Sequence, residues 1–199
     1  MNNFSVPQDL HIHTTFSSSD SSVVPEQTPE LVKQVQHADI MGISDHFDCL
    51  YKDKSIESYF SKLRLLEFMI GTELNGASWV DAVLEHDFDY LVYHCWDKES
   101  DYKAIDKLLD SGKPIIIAHP YALGTKLNKV PTECLIEINN RYIFRYDWKK
   151  YLGGFLDSFK FVFSSDAHQP NWLNQNVARY VGRELNIAET ILFKIPQHC

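Results

Sequence analysis

Three observations predict an α/β fold built from parallel β/α units. Seven short apolar runs alternate with segments of helical spacing, as in a parallel sheet joined by crossover helices. One run, Ile115-Ile116-Ile117, is apolar throughout, which is typical of a strand buried on both faces. Most runs end on polar residues of the metal-ligand type, where a β/α barrel builds its active site. We expect a barrel, with an open doubly wound sheet as the alternative, because that sheet also binds ligands at its carboxyl ends.

The first apolar run sets the pattern for the others. In Asp9-Leu10-His11-Ile12-His13, residues two apart point to the same side of a strand, so the two imidazoles converge beside a carboxylate. Later runs lead into polar residues in the same way. The predicted strands cover residues 5–13, 39–44, 67–72, 88–93, 114–118, 134–136 and 159–163.

Six segments carry helical spacing or helix boundary signals. In the first, Thr28 is a predicted N-cap and Pro29 suits the first turn. Ser111-Gly112 closes the fourth helix, and Gly153-Gly154 weakens the fifth. The predicted helices cover residues 25–37, 55–66, 79–85, 102–109, 146–156 and 174–185.

Composition limits the classes of function. A chain of 199 residues fits a single domain over residues 1–199. The formal net charge of −8 argues against a nucleic-acid partner held on a broad basic face. No apolar run approaches the ~20 residues of a membrane helix, and the first residues lack the pattern of a secretory signal. Four widely spaced cysteines fit reduced thiols, so we expect a cytoplasmic protein without a membrane partner.

Nine residues at strand ends and in one loop are candidate metal ligands. They are His11, His13, Asp20, His46, Glu73, His94, His119, Asp166 and His168. Together they supply too many ligands for one tetrahedral zinc, which indicates two or three ions with a bridging carboxylate. The other histidines, His37, His86 and His198, are predicted to lie on the surface.

The ordered motifs resemble those of the PHP (polymerase and histidinol phosphatase) superfamily over residues 9–168, and are similar to its histidinol-phosphatase-like branch in particular. The motifs are Asp9-Leu10-His11-Ile12-His13-Thr14, Ser44-Asp45-His46, Gly71-Thr72-Glu73, His94, Ala118-His119-Pro120, Glu137-Ile138-Asn139 and Ser165-Asp166-Ala167-His168. This resemblance implies a distorted seven-stranded β/α barrel that binds up to three divalent ions, commonly zinc, manganese or iron.

The resemblance also distributes the ligands among the ions. It gives the first ion His11, His13, Glu73 and Asp166, the second Glu73, His94 and His119, and the third Asp20, His46 and His168. Asp20 lies in a serine-rich loop, residues 17–22, that departs from the family pattern, so a site with two ions is the alternative. Asp9, Asp45 and Glu137 are expected to orient histidines or to steady the barrel mouth.

The function implied is that of a hydrolase acting on phosphoric ester bonds. We expect a metal-activated hydroxide to attack the phosphorus of a small phosphomonoester, histidinol phosphate or similar. Asp166, His168 and His46 are candidates for delivering a proton to the leaving alkoxide, and Arg141 and Arg145 for binding phosphate. The alternatives are a PHP-type nuclease or nucleotide phosphatase, and a non-catalytic structural module that binds metal.

Overall fold

Seven parallel strands form a nearly closed barrel in the computed structural model, which describes residues 6–194. Each strand pairs with the next one along the chain, so the order in the sheet is the order in the sequence. All seven predicted strands are confirmed. They are β1 (Val6–Asp9), β2 (Ala38–Ile43), β3 (Met69–Asn75), β4 (Tyr90–His94), β5 (Ile115–Ile117), β6 (Leu135–Asn139) and β7 (Lys160–Ser164).

Helices connect the strands, and each of the six predicted segments overlaps one. Thr28 caps the first helix as predicted, with Oγ1 accepting a hydrogen bond from the Leu31 N–H at 3.2 Å. The α-helices are α1 (Pro29–Val35), α2 (Phe47–Lys52), α3 (Ile56–Leu65), α4 (Val80–Val83), α5 (Glu99–Leu109), α6 (Pro120–Leu123), α7 (Trp148–Gly153) and α8 (Asn176–Glu184). The sequence did not predict the short helices α2 and α6. None of the helices within residues 6–194 combines the length and apolar character needed to cross a bilayer.

The barrel closes just beyond the ends of β1 and β7. The Asp166 N–H donates to the His11 carbonyl at 2.9 Å, and the His13 N–H donates to the Ala167 carbonyl at 2.9 Å. These bonds join segments from the two ends of the chain. The structure therefore has the predicted barrel and not the open doubly wound sheet.

Asp9 is buried beside this seam. Its Oδ1 accepts a hydrogen bond from the Ser165 N–H at 3.1 Å, and its Oδ2 lies 2.7 Å from His37 Nε2. The predicted surface position of His37 is therefore wrong: its side chain is only 9% exposed because it packs against Asp9. His86, also predicted on the surface, is half-buried against two phenylalanine rings. His198 lies outside the described residues.

Tyr90 fills the barrel interior, and its size explains two glycines on neighbouring strands. A Cβ on Gly42 would lie 2.3 Å from the Tyr90 hydroxyl oxygen, and a Cβ on Gly71 would lie 2.3 Å from its ring. The hydroxyl donates to the Leu10 carbonyl at 2.7 Å. The apolar cluster inside the barrel consists of Leu10, Ile40, Tyr90, Val92, Ile116, Ala118, Leu135 and Val162. A larger cluster packs the outer faces of the strands against the helices.

The segment that follows α8 covers the amino-terminal end of the barrel. The Gln8 side chain donates to the Thr190 carbonyl at 2.6 Å and accepts from the Leu192 N–H at 3.0 Å. The ring of Phe193 lies 5.9 Å from that of Tyr90. The polar strand ends lie at the opposite end, which is the mouth of the barrel.

We expect Gly71→Ala to destabilise the barrel, because the new methyl group would overlap the buried ring of Tyr90. Overpacking of this kind lowers the free energy of unfolding by up to about 3 kcal/mol. For a chain of this size the corresponding decrease in Tm is roughly 6–12 °C, measurable by thermal unfolding followed by circular dichroism. Gly153→Ala is the matched control, since nothing lies within 4 Å of its added Cβ. An unchanged Tm in Gly71→Ala would contradict this account of the interior.

Candidate metal centre

The mouth of the barrel collects the predicted ligands from the ends of six strands. Glu73 lies on β3 and His94 ends β4, whereas His119 lies two residues beyond the end of β5. Asp166 and His119 have left-handed backbone conformations, with φ of 53° and 25°. Such conformations are unfavourable for residues other than glycine and persist where the surrounding structure enforces them, often at functional sites.

Glu73 is the centre of the site. Its side chain is 2% exposed. One or the other of its oxygens lies 2.6 Å from His94 Nε2, 3.0 Å from His46 Nδ1, 3.1 Å from His11 Nε2 and 3.4 Å from His13 Nε2. One buried carboxylate therefore faces four imidazole nitrogens that come from three different segments of the chain.

The donor atoms form three groups compact enough to hold a metal ion. These are His11 with His13 and Glu73, Glu73 with His94 and His119, and His13 with His46 and His168. Asp166 adjoins the first group, with Oδ1 3.8 Å from the Nε2 atoms of both His11 and His13. His13 faces both the first group and the third.

Asp20 reaches the third group although it comes from the serine-rich loop. Its Oδ2 lies 2.9 Å from His168 Nε2 and 3.3 Å from His46 Nε2. Its Oδ1 accepts a hydrogen bond from the Ser22 N–H at 2.7 Å, which fixes the loop around it. Burial would raise the pKa of Asp20, but His168 and His46 outweigh it and hold that pKa far below its usual value. All nine predicted metal ligands thus lie together in the structure.

The donor set fits divalent metal ions. His11 Nε2 and His13 Nε2 are 3.0 Å apart, and His94 Nε2 and His119 Nε2 are 3.1 Å apart, so lone pairs converge from several sides. Glu73 Oε1 is buried and makes no well-aligned hydrogen bond to the described residues. Buried, unpaired acceptors are unfavourable unless a donor or cation satisfies them. Imidazole nitrogens and carboxylate oxygens are the ligands that divalent transition metals take in proteins.

The protonation states favour metal binding at several of the ligands. Burial opposes ionisation of Glu73, but His94 and the other facing imidazoles outweigh it and keep its pKa well below the ordinary value. Burial and the neighbouring His94 lower the pKa of His119 to about 3. The pKa of His13 is also lowered, chiefly by burial. Ionised carboxylates and neutral imidazoles are the forms that coordinate metals.

Glu137 holds His11 and the start of the β5 loop in position. It is fully buried; Oε1 lies 2.6 Å from His11 Nδ1, and Oε2 accepts from the His119 N–H at 2.7 Å. Burial lowers the pKa of His11, but Glu137 and the other carboxylates outweigh this effect and raise it well above the ordinary value. A carboxylate on the far nitrogen of a histidine is the usual way in which proteins fix the orientation of a metal ligand.

Asp45 and Asp9 stabilise the backbone around the mouth. Asp45 accepts hydrogen bonds of 2.6 Å from the Thr14 N–H, the Thr14 hydroxyl and the Ser17 hydroxyl. Ser17 Oγ in turn lies 3.2 Å from His13 Nδ1, so Asp45 acts on that histidine through one hydroxyl. Asp9 contacts the seam and His37, as described above.

Arg141 reaches the site, whereas Arg145 lies outside its cavity. Arg141 Nη1 is 3.0 Å from His168 Nε2 and 3.6 Å from Asp166 Oδ1, and Arg141 lines the cavity of about 370 Å³ above the ligands. Arg145 is exposed and lies 5.1 Å from the ring centroid of Tyr142.

Two residues of the site, Asn139 and Tyr142, had no role predicted from the sequence. Asn139 Nδ2 donates to Asp166 Oδ2 at 3.0 Å, and Tyr142 lines the cavity beside His119, with ring centroids 4.8 Å apart. Asn139 lies two residues after Glu137 on β6, and residues two apart on a strand point to the same side. This spacing could have predicted that Asn139 reaches the site. Trp96 also lines the cavity and is 44% exposed.

No family model matches this chain, and no curated protein matches it either. The similarity to the PHP superfamily therefore depends on the motifs and their order.

We expect the protein to bind two or three equivalents of divalent metal and Glu73→Gln to bind at most one. The amide keeps the size of the side chain but removes the charge that faces four histidines. Metal content after loading with manganese or zinc can be measured by inductively coupled plasma mass spectrometry. Exposed Glu85→Gln is the control and should retain the wild-type stoichiometry. An unchanged metal content in Glu73→Gln would show that Glu73 is not a ligand.

Proposed function

We propose that this protein is a metal-dependent phosphoesterase of the PHP type that hydrolyses a small phosphomonoester. The observation that carries the proposal is the position of Glu73, a buried carboxylate facing four histidine nitrogens at the mouth of a parallel barrel. A central carboxylate of this kind is suited to bridging two cations that act on one phosphoryl group.

Two or three ions of zinc, manganese or iron would be held by the residues of the centre. The first ion would take His11, His13, Glu73 and Asp166, the second Glu73, His94 and His119, and the third Asp20, His46 and His168. When bound, such ions lower the pKa of water to about 7 and neutralise the charge that develops on phosphoryl oxygens.

Arg141 is the residue best placed to bind a phosphoryl oxygen. Its guanidinium lies over the rings of Tyr142 and Trp172, at 5.0 and 5.4 Å from their centroids, and Nη2 donates to Ser22 Oγ at 3.1 Å. These contacts hold the guanidinium at the edge of the cavity with a donor group near His168. A guanidinium fixed in this way binds phosphate with both charge and geometry.

Proton delivery to the leaving alkoxide would come from His168, His46 or Asp166. All three line the same cavity as Arg141 and are within reach of a bound ester. The substrate would be a small phosphorylated molecule, for which histidinol phosphate is the model that the family resemblance provides. Cys49, Cys95 and Cys134 are free thiols, which supports a reducing compartment such as the cytoplasm.

Metal-dependent release of inorganic phosphate tests the proposal directly. The protein would be stripped of metal, reloaded separately with manganese, zinc or iron, and assayed with histidinol phosphate, nucleotides and a generic aryl phosphate. We expect release only after reloading, and Asp166→Ala to lose both metal and activity. Exposed Asp157→Ala is the control. Release without metal, or none from any ester despite bound ions, would contradict the proposal, and the second result would favour the structural module.

Arg141→Ala should lower kcat/KM by roughly 10- to 100-fold, mainly through KM, because one charged hydrogen bond to phosphate is lost. The metal content should stay at the wild-type value. Arg183→Ala removes an exposed arginine that lines a cavity beside the start of β1 and should leave the kinetics unchanged. Equal KM values for Arg141→Ala and the wild type would exclude a role for Arg141 in binding the substrate.

A further inference from the structure

A second cavity of about 490 Å³ adjoins the metal centre, and we call it the aromatic groove. Its walls include the side chains of Tyr121, Leu127, Tyr146, Tyr151 and Phe155. The volume is in the range of pockets that bind small molecules. Nothing in the proposed chemistry at the metal centre uses it.

Tyr146 connects the two cavities. It lines the cavity of the metal centre on one side and the aromatic groove on the other. The residue is 42% exposed, and its ring lies 5.9 Å from that of Tyr121 at the start of the groove. The two cavities therefore share Tyr146 as a common wall.

The mouth of the barrel is asymmetric. The loops after β1 and β7 supply ionisable and hydroxyl groups, such as Asp20, Ser22 and His168. The loops after β4, β5 and β6 supply Arg141 and also the more apolar groups Trp96, Ala122, Leu123, Tyr142 and Tyr146. A phosphoryl group suits the first wall together with Arg141, and the rest of a substrate is left to face the apolar groups and the groove behind them.

Within the part of the chain that the structure describes, the groove offers no buried carboxylate to a cationic occupant. Among the residues that line it, Asp147 carries a carboxylate, which is exposed and accepts a hydrogen bond from the Lys150 N–H at 3.2 Å. Lys126, a second lysine of the lining, pairs with Asp97 at 2.8 Å. A flat neutral ring would meet aromatic faces in the groove and would bring no charge that needs a buried partner.

We propose that the aromatic groove binds the leaving group of the substrate, and that this group is an uncharged aromatic alcohol. The proposal depends on the phosphoesterase function proposed above and narrows its substrate class. Tyr146 is then a specificity-determining residue at the junction of the two cavities.

The test compares esters that differ in the ring alone. Ethyl phosphate and 2-phenylethyl phosphate both release a primary alkoxide, so a difference in kcat/KM reports contact with the ring and not the reactivity of the leaving group. We expect the wild type to prefer 2-phenylethyl phosphate at least tenfold, and to prefer it over histidinol phosphate, whose alcohol carries an ammonium group. Equal values for the two alkyl esters, or a preference for histidinol phosphate, would overturn the proposal.

Two variants test whether the preference for the aromatic ester depends on the groove. Tyr146→Ala should lower kcat/KM for 2-phenylethyl phosphate several-fold more than for ethyl phosphate, and so remove most of the preference for the aromatic ester. Asn128→Trp places a large ring on an exposed residue of the groove lining and should have the same result. Phe144→Ala is the matched control, because Phe144 is 58% exposed on the same segment and contacts Tyr180. Equal losses for both esters in Tyr146→Ala would show that Tyr146 does not select the leaving group.

A binding measurement separates this proposal from the function on which it depends. Ethylphosphonate and 2-phenylethylphosphonate cannot be hydrolysed, and their binding to the metal-loaded protein can be followed by calorimetry. Tighter binding of the aromatic phosphonate that is lost in Tyr146→Ala, without hydrolysis of any ester, would uphold the groove and reject the phosphoesterase. Hydrolysis of the esters without any preference for the aromatic one would uphold the phosphoesterase and reject the groove as the site of the leaving group. Binding of neither phosphonate, together with no hydrolysis, would reject both.

Discussion

The hydrogen bonds that close the barrel between its first and last strands are the constraint on which the site depends. His11 and His13 are more than 150 residues from Asp166 and His168 along the chain, and two backbone hydrogen bonds of 2.9 Å bring these segments together. A closure of this length is unfavourable in chain entropy and needs support from burial elsewhere. The apolar cluster inside the barrel and the buried Asp9 provide that support at the same seam.

The closure of the barrel places ionisable side chains together in a buried position at its mouth. Glu73 and Glu137 are buried on opposite ring nitrogens of His11, and the burial of carboxylates is unfavourable unless each one has a partner. Glu137 has its partners within the protein, in His11 and a backbone N–H. Glu73 Oε1 has no well-aligned hydrogen-bond partner among the described residues. This difference separates a carboxylate that orients ligands from one that is suited to bind cations.

The two walls of the barrel mouth differ in the side chains that they present to a bound molecule. Under the proposed function, polar groups after β1 and β7, with Arg141 after β6, would bind the phosphate, and aromatic groups after β4 to β6 would bind the remainder of a substrate. Parallel barrels allow this division, because each loop varies without disturbing the strands beneath it. The proposal thus assigns the choice of substrate mainly to loops, whereas most of the candidate metal ligands lie at strand ends.

The sequence by itself determined the seven strands, six of the helices and the nine converging ligands, because apolar period, caps and strand-end positions are local properties. It did not determine that the sheet closes, that His37 is buried on Asp9, or that Arg141 reaches the cavity while Arg145 does not. It also gave no sign of the groove beyond Tyr146. These features depend on which strand ends and loops face one another, and that is fixed by strand register, seam hydrogen bonds and loop packing between residues far apart in the chain.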